Sequence, residues 1–210
     1  MGAKRAAVRA RPNAATARSI DRLTAAANPG SLGSEPLPGA PAVVLLGGSS
    51  WPPNRDAARW FVRRVWLAVL ERSPAATLHC FGGPVASDET SIRSHPAPAD
   101  SARAFPAGAI LAVPLRIASG VRMKILEAWA RGVPVVATPQ AAGLGVEDGR
   151  QLLVAEDARG FAAACARLAA EPDLAPRLTE EGRGLLAAAH RPDSVAEKLL
   201  AVYRRAASPV

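Results

Sequence analysis

With 210 residues, 49% of them hydrophobic, the chain is long enough for one sizeable core and too apolar for wholesale disorder. The formal net charge of +8 is uneven, because Lys4, Arg5, Arg9, Arg11, Arg18 and Arg22 stand against Asp21 in the first 22 residues and leave the remainder close to balance. No apolar run reaches the roughly eighteen residues that span a bilayer, and no apolar segment follows the N-terminal basic residues as in a secretory signal.

A cytoplasmic protein is expected, with peripheral contact between the basic tail and the inner face of the membrane left open. The basic excess lacks interleaved aromatics, so no nucleic-acid partner is expected. Residues 1–40 are rich in Ala, Arg, Pro, Gly and Ser and read as a poorly ordered tail or linker, with one short helix over Ala14 to Ala27. Residues 41–207 read as one ordered domain.

That domain opens with AVVLLGG, a buried strand ending in Gly47 and Gly48. After SSWPP, Asn54 is the expected cap of a helix running to Arg72, with Asp56 in its first turn. Ala58, Phe61, Val62, Val65, Trp66, Val69 and Leu70 form its apolar stripe. ATLHCFGG is a second strand, again ending in a glycine pair, Gly82 and Gly83. Strand, helix and strand within about forty residues make a parallel βαβ unit. SIRSH reads as a short strand, ADSARAF as a short helix and AILAVPL as a clear strand.

The segment PLRIASGVRMKILEAWARGVPVVATP comes next. A turn at Ser119 and Gly120, with Ser119 as N-cap, is expected to start a helix from Val121 to Arg131, stopped by Gly132 and Pro134. VPVVAT then has the continuous apolar, β-branched character of a strand buried on both faces. Gly120, Lys124, Glu127 and Arg131 share one helix face, while Met123, Leu126 and Ala130 form an apolar one. Free N–H groups at a helix start, with Arg122 and Lys124 beside them, suit an anion, and Glu127 suits hydroxyl groups. A solvated Lys–Glu–Arg ladder is the competing reading. QLLVA reads as a last strand, followed by helices over Ala158 to Ala170, Leu174 to Ala188 and Asp193 to Ala207. The alternation implies a doubly wound, Rossmann-like α/β domain with its ligand crevice at the carboxyl ends of the strands.

Other chemistries find little support. Cys80 and Cys165 read as buried hydrophobes without metal-ligand spacing, and His79, His95 and His190 as structural. Gly143, Gly145 and Gly149 lack the GxGxxG spacing, and neither GxxxxGK[ST], GxSxG nor HExxH occurs.

The segments VLLGGSSWPPNRDAARWFVRRVW, VPLRIASGVRMKILEAWARGVPVVATP and LLVAEDARGFAAACARLAAEP together resemble the C-terminal, donor-binding half of a glycosyltransferase with two facing Rossmann-like domains, the GT-B fold. The group they are most similar to is family 4, the retaining enzymes with the group 1 signature, over about Pro41 to Arg205. The resemblance implies transfer of a sugar from a nucleotide-diphosphate sugar, with neither metal nor cofactor beyond that donor. It implies that Glu127 holds the ribose hydroxyls. Ser119 falls where the family has a sugar-facing Glu, and the turn with Gly120, Arg122 and Lys124 would face the diphosphate, so Ser119, Arg122 and Lys124 are the catalytic candidates. Gly47, Gly48, Asn54 and Arg55 would line the donor site. The family's basic pair after the first strand is replaced by Ser49 and Asn54, with Arg55, Arg122 and Lys124 as compensation. The family's N-terminal acceptor domain has no counterpart in residues 1–40, so the chain is expected to be a truncated or split enzyme, its acceptor domain supplied by another chain. The alternative is a non-catalytic nucleotide-sugar-binding or interaction module.

Overall fold

A computed structural model describes residues 36–48, 50–118, 120, 122–143 and 145–189, together with Ala196, Leu200, Tyr203 and Arg204. The expected Ala14–Ala27 helix, His190 and most of the expected Asp193–Ala207 helix lie outside the described residues, as do Ser49 and Ser119.

Six strands form one sheet in the order β3-β2-β1-β4-β5-β6: β1 Ala42–Leu46, β2 Thr77–Phe81, β3 Ile92–His95, β4 Ala109–Val113, β5 Val135–Ala137 and β6 Leu153–Val154. Every neighbouring pair is parallel, with Val44 opposite both His79 and Leu111. This order reverses direction between β1 and β4, the switch point at which open α/β sheets bind ligands.

Residue alternation sends side chains to two layers. Val43 and Leu45 face a cluster with Phe61, Val65, Trp66, Val69, Phe161 and Cys165, whereas Ala42 and Val44 face one with Phe105, Ile125, Leu126 and Trp129. The first layer is built by α1 (Pro52–Trp60), a π-helical turn (Phe61–Val65), α2 (Trp66–Arg72) and α5 (Ala158–Ala170). The second holds a 3-10 turn (Ser101–Ala104), α3 (Met123–Ala130) and α6 (Leu174–Ala189). The short α4 (Pro139–Ala142) follows β5.

Several local expectations are corrected. The cap of α1 is Trp51, not Asn54, because Pro52 and Pro53 occupy the first helical positions, where a missing N–H costs nothing. Asp56 therefore lies beyond the first turn, and it pairs with Arg116 instead. The helix does not run unbroken to Arg72 but passes through the π turn. Arg122, not Ser119, is the cap residue of α3, which starts two residues later than expected, after Gly120 at φ +70°. Met123 is 40% exposed rather than buried, and Ile125, Ala128 and Trp129 carry the apolar face with Leu126 and Ala130. Cys80 and Cys165 are buried as expected. No described helix is long and apolar enough to cross a membrane.

Candidate functional site

The carboxyl ends of β1 and β4 meet the start of α3 at the switch point. Leu46 ends β1, and Gly47 N donates to Phe81 O at 3.0 Å, carrying the pairing with β2 one residue further. Lys124, in the first turn of α3, reaches across: its Nζ donates to Leu46 O and, at 3.1 Å, to Asn54 Oδ1. No carboxylate partners this ammonium among the described residues, and burial lowers its pKa from an ordinary 10.5 to about 8. It thus stays charged at neutral pH while held in neutral company, the condition under which an incoming anion gains most.

Glu127, one turn further along α3, is half-buried. Its Oε1 accepts from Ser101 Oγ and, at 3.4 Å, from Arg131 Nη2, while Arg131 also lies 5.9 Å over the Phe105 ring. Oε2 accepts no hydrogen bond among the described residues, so one carboxylate oxygen is fixed and the other open. Ser101 gave no sequence signal for this role. Its position follows from the 3-10 turn that Asp100 caps by accepting from Ala102 N at 2.9 Å.

Arg122 behaves differently from its neighbour. Its guanidinium donates to Gly120 O and Gln140 O, and its buried Nε has no partner among the described residues. It ties the Gly120 turn to α4. Arg55 and Gly48 are exposed beside the crevice.

One glycine of each strand-end pair is explained by chain packing. A Cβ on Gly47 would stand 2.3 Å from Asn54 Nδ2, and one on Gly82 would stand 2.5 Å from Gly47 O. A cavity of about 290 Å3 opens beside them, lined by α1, the loop after β2 and Lys124. Of the expected residues, the structure brings Gly47, Asn54, Arg55 and Lys124 together around it. Glu127 and Arg122 lie outside its lining.

No group of three or more His, Cys, Asp or Glu side chains among the described residues is placed to hold a metal ion. His79 and His95, separate in sequence, meet at 3.0 Å between Nδ1 and Nε2, with His79 Nε2 on Pro38 O at 2.9 Å.

An open parallel sheet whose strand order reverses between β1 and β4 defines a Rossmann-like α/β domain. A profile of the family "Glycosyl transferases group 1" matches residues 40–171, and the chain belongs to that family. Solved structures agree in fold. Sucrose-phosphate synthase from Thermosynechococcus elongatus superposes with a TM-score of 0.62 at 23% identity, over 80% of this chain and 46% of that one. HepE of Anabaena in complex with UDP and glucose gives 0.58 at 14% identity, over 91% and 52%. The C-terminal domain of LpcC, a glycosyl transferase group 1 family protein of Francisella tularensis, gives 0.58 at 16% identity, over 74% and 89%. The chain therefore spans about half the length of the first two structures. Comparison with curated proteins gives no match.

Proposed function

We propose that this chain is the donor-binding half of a family 4-like glycosyltransferase, transferring a sugar with retention from a nucleotide-diphosphate sugar without a bound metal. The observation that carries the reading is Lys124. A desolvated ammonium without an acid partner among the described residues stands at the switch point of a group 1 glycosyltransferase domain, one turn from the open oxygen of Glu127. Its contact with Asn54 puts a cation from α3 where the resembled family carries a basic residue after the first strand.

In this reading Glu127 Oε2 accepts from the ribose hydroxyls and Lys124 binds the diphosphate. As the glycosidic C–O bond breaks, the diphosphate keeps the electron pair, and Lys124 neutralises the charge that develops on it. The Gly120 turn supplies backbone N–H groups, and Arg122 holds that turn in place. The acceptor and the domain that binds it come from outside these residues, and the protein works in the cytoplasm.

Calorimetric titration with uridine, guanosine and adenosine diphosphates tests this. One nucleotide is expected to bind, with Lys124→Met and Glu127→Gln each weakening it tenfold or more. Variants that bind as well as the parent overturn the site. A folded chain that binds none of the three supports the interaction-module reading, which the engagement of Arg122 with two carbonyls favours.

A further inference from the structure

The cavity beside Lys124 carries more positive charge than a diphosphate uses. Arg55, Arg59 and Arg63 line it from successive turns of α1 and the π turn, and no carboxylate lines it among the described residues. The row extends about 12 Å at 1.5 Å per residue. The acid on the same stretch of helix, Asp56, points elsewhere and is held by Arg116 in a two-bonded pair at 3.0 and 2.6 Å. Between the arginines the floor is apolar, with Ala58, Val62 and Val85. The volume, about 290 Å3, suits a monosaccharide and not a whole nucleotide.

Resting on the donor-binding reading above, Lys124 lies against Asn54 near the start of α1, so a diphosphate bound there leaves the Arg59 and Arg63 end of the cavity for the group that follows it. A pyranose offers C–H faces to an apolar floor, and guanidinium forks match a carboxylate in two-bonded geometry. We propose that the cavity takes the acidic glycosyl group of a nucleotide-diphosphate uronic acid, with Arg59 and Arg63 binding its carboxylate.

The full chain is titrated with UDP, UDP-glucose and UDP-glucuronate, and with GDP, GDP-mannose and GDP-mannuronate. For the base that binds, the uronate is expected to bind at least tenfold tighter than the neutral sugar nucleotide. The double variant Arg59→Met, Arg63→Met is expected to bring that ratio within twofold while leaving the affinity for the nucleoside diphosphate within twofold of the parent. Both positions are exposed, so the variant is expected to fold, and circular dichroism checks this. Equal affinity for uronate and neutral sugar in the parent, or a preference that survives the double variant, overturns the uronate site while leaving the donor site standing. Failure of the folded parent to bind any nucleoside diphosphate overturns both.

Discussion

Lys124→Met separates the cost of holding a cation at the switch point from its use. Burial brings the Lys124 pKa from 10.5 to about 8. At about 1.4 kcal/mol per unit, the charged form in the native state is some 3 kcal/mol worse off than in the unfolded chain. Above pH 8 the native ammonium loses its proton, while the unfolded one keeps it to about 10.4. In that window the unfolded state binds more protons, so native stability rises with pH. Met has neither the charge nor the titration and fills a similar volume. Urea unfolding of parent and variant at pH 7 and pH 10 therefore yields a double difference in which every shared titration cancels. The parent is expected to gain about 2 kcal/mol on the variant between the two values. At pH 7 the variant is expected to be the more stable of the two, after a loss of about 1 kcal/mol for each hydrogen bond given up. A difference that stays flat within about 0.5 kcal/mol would mean that the ammonium is solvated and not held between Leu46 and Asn54, and the site argument would lose its main support.

The same proton gives a binding prediction: nucleoside diphosphate affinity falls as pH rises from 7 to 9.5 in the parent, read by calorimetry, and this slope disappears in Lys124→Met. Gly182→Ala is expected to destabilise by about 1–3 kcal/mol in urea, since its Cβ would stand 2.5 Å from the buried Trp129 ring. Burial pushes the Cys80 and Cys165 thiols up to about 12, so neither is expected to react with an aromatic disulfide reagent at pH 8 until the chain is unfolded. His79 and His95 are both held below the ordinary 6.5, by burial first and then by Arg93 and, for His79, by His95. The unfolded chain takes up protons first, so stability is expected to fall as pH drops below about 6.5, and to fall less in His79→Phe, measured by urea midpoints at pH 7.5 and 5.5.

Strands and layers were legible because AVVLL, TLHCF and AILAV are short, continuous, apolar runs, the mark of a sheet covered on both faces. Helix starts were less so. Pro52 and Pro53 look like loop residues, yet they are favoured at the first helical positions, which moved the cap from Asn54 to Trp51. The π turn at Phe61–Val65 leaves the apolar stripe intact and gives no pattern to read. At the site, the chemistry-bearing residue types were visible but their partners were not, because those partners depend on strand order. Lys124 and Leu46 are separated by 78 positions. The His79–His95 contact follows from the β2–β3 register, which sets His95 opposite Phe81, two residues along from His79. The spacing of Arg55, Arg59 and Arg63 was a readable signal, and what it lacked was the cavity that gives it meaning.

The glycines show why a motif of residue types is weaker than the space around it. Gly47 and Gly82 sit at strand ends where backbone approach to a phosphate would also demand glycine, but their missing side chains are accounted for by Asn54 and by Gly47 O. Replacing either would damage the fold whether or not a ligand binds, so such a variant says nothing about the site. Gly120 is the opposite case. Its φ of +70° favours glycine, yet nothing lies within 4 Å of where a Cβ would be. The turn is held from behind by Arg122 and open in front. Gly108, Gly145 and Gly149 combine a positive φ with open space in the same way, so Gly120 by itself marks an exposed left-handed turn, whereas the Lys124 ammonium is held at a cost that burial sets. The case for a donor site therefore rests on Lys124 with Glu127 one turn further along α3, and it would stand even if every one of these glycines were purely structural.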